Sequence, residues 1–358
     1  MQRFGLTLLL GLFAVSLADS DGSAYELRLK EASGVTAVGD TLFLVGDDNP
    51  GRLFKLPIPD TTVRVFAPDP DHLIEVPLPG AELAVDLEAI DVLADGRIVV
   101  LSEDLTALVG PLSSDNDVNG LIARYPPAMN EFGNRGVEGL AVRSANGGSE
   151  VAVLWEGGYG YLPLIPFELQ PPIGHEPLKP VVIIHPIPND STVGWVSHDN
   201  RLITLNPPEP PGEVPDALRY RGADLVWHQW QDADSTVDGF IVVIAASNSP
   251  KDNSPTHLTG ELQRFDLHGE PVGDPIDLHA EALRLLNDAV LNQDDRLPDS
   301  LAEHMQTVHE MFAARDEYSA NFEGLGWSRP GEQLVVVFDG YPTEPTLVFF
   351  IDVPEAWK

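Results

Sequence analysis

A short phrase returns along this chain with small changes. It reads Asp86-Leu87-Glu88-Ala89-Ile90, then Gly136-Val137-Glu138-Gly139-Leu140, then Asn321-Phe322-Glu323-Gly324-Leu325. Each copy sets one acid between apolar neighbours just ahead of a predicted strand. The strand ends in a polar cluster: Ser102-Glu103-Asp104, Trp155-Glu156-Gly157 or Phe338-Asp339-Gly340. Two weaker copies extend the series. Ser33-Gly34-Val35 leads into Thr41–Val45 and then Asp47-Asp48, and Gly222-Ala223-Asp224-Leu225 leads into Phe240–Ile244 and then Ser247-Asn248. With anchors near positions 35, 88, 138, 224 and 323, the first intervals are 53 and 50 residues, and the later ones are 86 and 99. Units of about 40–50 residues are the period of propeller blades. The longer intervals hold insertions or a blade with a decayed motif. The expectation is an all-β chain forming a single β-propeller, five blades favoured, with room for a sixth.

The strand pattern agrees. Leu42–Val45, Arg97–Ser102, Val151–Trp155, Val181–His185, Phe240–Ala245, Gln333–Phe338 and Leu347–Val353 are β-branched or aromatic runs bounded by Gly, Pro, Asp or Asn. Asp95-Gly96 separates Ile90–Leu93 from Arg97–Leu101, a hairpin signal, and Gly39-Asp40 and Arg329-Pro330-Gly331 hold the same place in their copies. Each unit therefore reads strand, tight turn, strand, polar cluster, further strands. Two segments depart from this. Residues 163–216 are Pro-rich and predict extended loops around the strands Val181–Ile184 and Arg201–Leu205. Residues 278–317 predict a helical hairpin insertion, with Leu283, Leu286 and Val290 on one stripe and Leu301, Met305, Val308 and Phe312 on another. Such an insertion is a lid, a docking surface or inert. Tyr25–Lys30 is expected to complete the last blade beside Leu347–Val353 and so join the two ends of the chain.

Residues 1–18 read as a secretion signal: Arg3, an apolar run from Leu6 to Leu17, and the small-residue site Ser16-Leu17-Ala18. Cleavage after Ala18 leaves residues 19–358 as one propeller domain, periplasmic or secreted and monomeric, without a membrane span. Asp+Glu number 56 against Lys+Arg 21, for a net charge of −35, which argues against nucleic acid and anionic membrane as partners. With no Cys, neither disulfides nor thiolate-bound zinc enter.

Inner strands of a propeller converge, so equivalent acids should meet. Glu88, Glu138, Asp224 and Glu323 are the expected ligands of one axial cation. Gathered carboxylates cannot all stay ionised in a low-dielectric channel without one. Calcium suits an all-oxygen set. The competing reading is that each acid caps backbone N–H groups in its turn, with no metal. Asp47, Glu103, Glu156, His228 and Asp339 are placed at the channel mouth. Asp115-Asn116-Asp117-Val118-Asn119-Gly120 matches the first half of a calcium loop, but Pro126 stands where a bidentate Glu belongs. The chain has no G-x-S-x-G serine motif and no H-E-x-x-H zinc motif.

Gly120-Leu121-Ile122-Ala123-Arg124-Tyr125 and Asn134-Arg135-Gly136-Val137-Glu138-Gly139-Leu140-Ala141 resemble the N-R-G-F-E-G-L-A signature of phytase-like propeller proteins, the esterase-like activity of phytase family. Ser33-Gly34 with Asp47-Asp48, Asp86-Leu87-Glu88 with Ser102-Glu103, and Asn321–Leu325 resemble the neighbouring SdiA-regulated propellers. The resemblance implies a secreted or periplasmic propeller with calcium in or near its channel. True β-propeller phytases hold phosphates with calcium, Lys and Arg, whereas Lys here is limited to positions 30, 55, 179, 251 and 358. Two functions follow as expectations. One is metal-assisted hydrolysis of a small-molecule ester or phosphoester. The other is a non-catalytic propeller with structural calcium that binds an envelope protein, a glycan or another envelope ligand.

Overall fold

In the computed structural model, the described residues are 29, 31–46, 51–59, 63–66, 68, 73–77, 86–93, 96–102, 107–111, 121–123, 137–145, 148–155, 180–185, 201–204, 219–232, 235–247, 259–291, 321–339 and 346–358. They form mostly β-structure with one α-helix. The strands make five four-stranded sheets. The first holds β1 (Ala32–Val38), β2 (Thr41–Gly46), β3 (Arg52–Pro57) and β5 (Ile74–Pro77), in that order; β4 (Val65–Phe66) leaves it for another sheet. The second runs β6 (Leu87–Val92), β7 (Arg97–Ser102), β8 (Ala107–Pro111), β9 (Leu121–Ala123). The third runs β10 (Val137–Ala145), β11 (Gly148–Trp155), β12 (Pro180–His185), β13 (Arg201–Thr204). The fourth runs β14 (Arg219–Asp232), β15 (Ser235–Ser247), β16 (Thr259–Asp266), β17 (Ile276–Asp277). The fifth runs β18 (Asn321–Arg329), β19 (Gln333–Asp339), β20 (Leu347–Asp352), β4.

Each sheet opens with the repeated phrase, and its first two strands form the predicted hairpin. The turn glycines Gly39, Gly96 and Gly331 have φ of 57°, 85° and 72°, a conformation that costs glycine little. Four sheets are antiparallel throughout, as meandering blades are. In the third, β12 pairs parallel to β11 and β13 parallel to β12. Parallel neighbours need a crossover of about a dozen residues or more, and the Pro-rich insertion supplies the length.

Sheet order around the molecule follows from contacts between first strands. β1 touches β6, β6 touches β10, β10 touches β14, β14 touches β18, and β18 touches β1, a closed circuit. The core lies between successive sheets because alternate side chains of one strand face opposite neighbours. In β2, Phe43 and Val45 pack with Leu87, Ile90 and Val100 of the second sheet. Leu42 and Leu44 pack with Val335, Val337 and Phe350 of the fifth. Leu225, Trp227 and Phe240 meet Ala152 and Leu154 of the third sheet, while Val226, Ile241 and Val243 meet Leu334, Val336 and Phe349 of the fifth.

Two expectations change here. The strand beside β20 is β4, with Val348 opposite Phe66 and Phe349 opposite Val65, not Tyr25–Lys30. Phe66 stacks on Phe350 at 6.0 Å, the Phe350 N–H donates to the Arg64 carbonyl at 2.8 Å, and Arg64 grips Asp352 through two 2.7 Å bonds. The partner edge is thus filled by a detour from the first sheet. Leu29 is buried against the first and fifth sheets; the rest of 25–30 except this residue lies outside the described residues. The helical insertion begins as α1 (Leu278–Leu291), capped where Asp277 accepts the Ala280 N–H at 2.9 Å. Its Leu278, Ala282, Leu285 and Leu286 are buried with the fourth and fifth sheets, so this helix is part of the core and not a lid. The second predicted helix lies outside the described residues.

Candidate ligand site where the five first strands meet

The repeated phrase has a repeated geometry. In every first strand the pairing with the second strand slips by one residue: between Ala32 and Gly34, Leu87 and Ala89, Val137 and Gly139, Gly222 and Asp224, and Phe322 and Leu325. A β-bulge leaves one residue unpaired and bends its strand. The bulged residues are Ser33, Glu88, Glu138 and Ala223, with Glu323 in the fifth. The register therefore shifts one member of the expected set. Ala223 stands where the other sheets carry Glu or Ser, and Asp224 stands at the small-residue position of Gly34, Ala89, Gly139 and Gly324.

That small-residue position is where neighbouring strands nearly touch. A Cβ added at Gly34 would lie 2.9 Å from the Ala89 Cα, and one at Gly139 would lie 2.9 Å from the Asp224 Cα. One at Gly324 would lie 3.1 Å from the Val35 nitrogen. Glycine recurs there because backbone packs on backbone. Asp224, 1% exposed, occupies the gap that glycine leaves. Its Oδ1 accepts the N–H groups of Leu225 at 2.7 Å and Leu140 at 3.3 Å, and its Oδ2 accepts Leu325 N–H at 2.7 Å. First strands are sheet edges, with N–H groups that their own sheet does not pair. One carboxylate thus serves three of them across three sheets.

Asp91 does the same two residues beyond Ala89. Its Oδ1 accepts Val92 N–H at 2.7 Å and the Thr36 hydroxyl at 3.3 Å, and its Oδ2 accepts Val142 N–H at 2.6 Å. Edge carbonyls are answered by indoles. Trp227 Nε1–H donates to the Ala141 carbonyl at 3.1 Å, and Trp327 Nε1–H to the Trp227 carbonyl at 2.8 Å. Burial raises the Asp91 pKa to about 7, against the pull of the Val92 and Val142 N–H groups and Thr36. Part of its surface faces a cavity, but it sits deep in the molecule, and depth governs the shift. Burial raises Asp224 well above the carboxylate range, opposed by its three N–H donors and reinforced by the nearby charge of Asp91.

All five first strands line one cavity of about 650 Å³. Thr36, Asp91, Val142, Val226, Trp227 and Trp327 are among its lining residues.

Glu88, Glu138 and Glu323 are each 6% exposed and do not join Asp224 around an ion. Among the described residues no three His, Asp or Glu side chains are grouped as a cation site requires. The physical reason is the close backbone approach at this level, together with the commitment of Asp224 to backbone N–H groups. The four acids do not fit a shared calcium. Asp224 instead follows the competing reading, bridging between sheets as well as capping its own strand. His228 is not at a mouth: it is 3% exposed, with Nε2 2.8 Å from the Trp357 carbonyl and Trp230 and Trp327 at 5.6 Å. Burial lowers its pKa, the Trp357 bond opposes this, and Arg264 adds to it. Asp339 ends β19 opposite Asn321. Asp47, Glu103, Glu156 and the 115–120 loop lie outside the described residues. Asp91 and Thr36 stand outside the repeated set of acids. Their signal was a lone acid within the apolar run Ile90–Leu93.

No protein-family model matches the chain. No curated protein matches it. Among solved structures, a chain of the yeast heterotrimeric Nup82-Nup159-Nup116 nucleoporin complex is similar at 12% identity, over 92% of this chain and 89% of that one, with a TM-score of 0.30. A likeness that distant carries no argument, and the architecture rests on the sheet order and the circuit of first strands.

Proposed function

We propose that the five sheets are blades of one five-bladed β-propeller, and that the protein is an exported, non-catalytic binding propeller taking a small ligand into the cavity shared by its first strands. The observation that carries this is the convergence of all five first strands on one cavity of about 650 Å³, within the range of about 300–1,000 Å³ common to small-molecule sites. Its lining is mainly apolar with a few polar groups, the usual composition of such sites. The rival reading is calcium-assisted hydrolysis of an ester or phosphoester. It loses its expected ligand set, because Asp224 is committed to the Leu140, Leu225 and Leu325 N–H groups.

The test uses the chain from residue 19 onward. Thermal-shift screening of a small-molecule library should give stabilising compounds whose effect disappears in Ala37→Trp, which fills the cavity from its wall while circular dichroism stays native. p-Nitrophenyl phosphate and p-nitrophenyl butyrate should not be turned over with or without calcium. Calcium-dependent turnover, or hits indifferent to Ala37→Trp, would overturn the reading.

A further inference from the structure

Resting on that reading, we propose that the cavity selects a small organic ammonium ion, with an N–H donated to Asp91 Oδ2 and the apolar part of the ligand laid against Trp327. Acceptor arithmetic points to the atom. A carboxylate oxygen accepts about two hydrogen bonds. Asp91 Oδ1 has two donors, Val92 N–H and the Thr36 hydroxyl, whereas Oδ2 has one, Val142 N–H. One acceptor position on Oδ2 is left for a donor arriving through the cavity that Asp91 lines.

Charge selects the donor. Of the charged residues lining the cavity, Asp91 and Glu332 are acids and Arg329 is the one base. Arg329 is already engaged, 3.6 Å from Glu332 and 3.7 Å from Asp352. None of the three backbone and hydroxyl donors to Asp91 carries a full positive charge, so a ligand cation would supply the counter-charge that this carboxylate lacks. A charge-assisted N–H···O⁻ bond is about twice as strong as a neutral one. The indoles add a second preference. Trp227 already carries a cation, with the Arg143 guanidinium 4.0 Å above its ring, so indoles in this region serve as cation platforms. Trp327 is half-buried on the cavity wall and presents the same chemistry to a ligand. A chain of net charge −35 also raises the local concentration of cations and repels anions.

The probes are phenethylammonium chloride, its neutral isostere 2-phenylethanol, and 3-phenylpropionate, titrated calorimetrically at about pH 8.5, above the raised Asp91 pKa, into the chain from residue 19 onward. The ammonium should bind about tenfold or more tightly than the alcohol, and the carboxylate should not bind. Asp91→Asn should bring the affinity for the ammonium down to about that for the alcohol. Val38→Lys, at the half-buried end of β1 on the cavity wall, is the second variant should Asp91→Asn fail to fold. It should weaken the ammonium on the order of tenfold more than the alcohol. Equal affinity for ammonium and alcohol overturns the ammonium selectivity and leaves the binding cavity standing. An Asp91→Asn protein that keeps the preference overturns the role of Asp91. Failure of all three probes overturns this inference, and with the library screen also empty it overturns the binding reading as well.

Discussion

Replacing Asp224 by Ala tests the claim that this acid holds the sheets together rather than an ion. The substitution removes the acceptor of three buried N–H groups. Those of Leu225 and Leu325 sit at 2.7 Å and that of Leu140 at 3.3 Å. Leaving a buried donor unsatisfied costs about 1–3 kcal/mol. The two short bonds therefore set a loss of about 2–6 kcal/mol, with a minor addition from the long one. Relief of carboxylate burial, which raises the Asp224 pKa, offsets part of this, and a net loss of about 3 kcal/mol is expected at pH 7.5. Unfolding entropy is about 2.1 cal/mol/K per residue, which for a chain of this size gives about 0.7 kcal/mol/K, so Tm should fall by about 4 °C by calorimetry. Asp238→Ala is the control. That acid pairs with Arg143 at 2.9 Å and its side chain is 31% exposed, for which about 1 kcal/mol or less is expected. An Asp224→Ala protein that melts at or above the wild type, in buffer with chelator, would refute the reasoning.

Four further outcomes are expected. Gly326→Ala puts a Cβ 2.5 Å from the Val35 carbonyl oxygen and should cost about 1–3 kcal/mol in denaturant unfolding; at Gly39, with φ of 57° and no atom within 4 Å, Ala should cost about 1 kcal/mol, from backbone strain alone. With the Asp91 pKa raised from 3.8 to about 7, the folded state keeps a proton that the unfolded state has lost between those pH values. The Asp91 contribution is therefore most favourable below the unfolded pKa and declines as pH rises to about 7. Its ceiling is about 4 kcal/mol, and the stability difference between wild type and Asp91→Asn should change accordingly from pH 4 to pH 8. Glu138→Gln and Glu323→Gln should leave any calcium-induced change in Tm as it is in the wild type; loss of that change in both would restore the shared-ion idea. Arg64→Ala should cost about 1 kcal/mol or less, since Arg64 and Asp352 are 35% and 54% exposed, whereas Phe66→Ala, which loses the stack on Phe350, should cost about 1–3 kcal/mol and speed hydrogen exchange at Phe350.

The repeat was legible because it is enforced by backbone geometry. A bulge and a close approach demand a small residue at a fixed place, so Gly34, Gly139 and Gly324 recur and can be read without coordinates. The hairpin glycines Gly39, Gly96 and Gly331 were legible for a similar reason: their φ is positive. The phase of the fourth copy was not legible. Gly222-Ala223-Asp224 offers an acid near the right place, but a slip of one residue moves a side chain to the opposite face of its strand, and only strand pairing fixes the count. The strand that completes the fifth sheet was not legible because β4 is two residues long, too short for any pattern. The Asp91 site was not legible because its partners, Thr36 and Val142, lie 55 and 51 residues away.

A ring of near-identical units supplies near-identical positions, and chemistry needs unequal ones. The repeated glutamates therefore point to what the units share, which is a bulge and an inward edge of unpaired backbone. Specific chemistry should be sought where a copy departs from its siblings. Asp224 stands where three siblings have Gly and one has Ala. By the same register, Asp91 aligns with Thr36, Ala141, Val226 and Gly326, four side chains or hydrogens without charge. Trp227 and Trp327 align with Ala37, Val92 and Val142. These departures cluster, and they bring two carboxylates and two indoles to the meeting point of five sheets. Asp224, almost fully buried, has the structural share of that work. Asp91, with an acceptor position remaining and a cavity before it, is the departure with capacity to recognise a ligand.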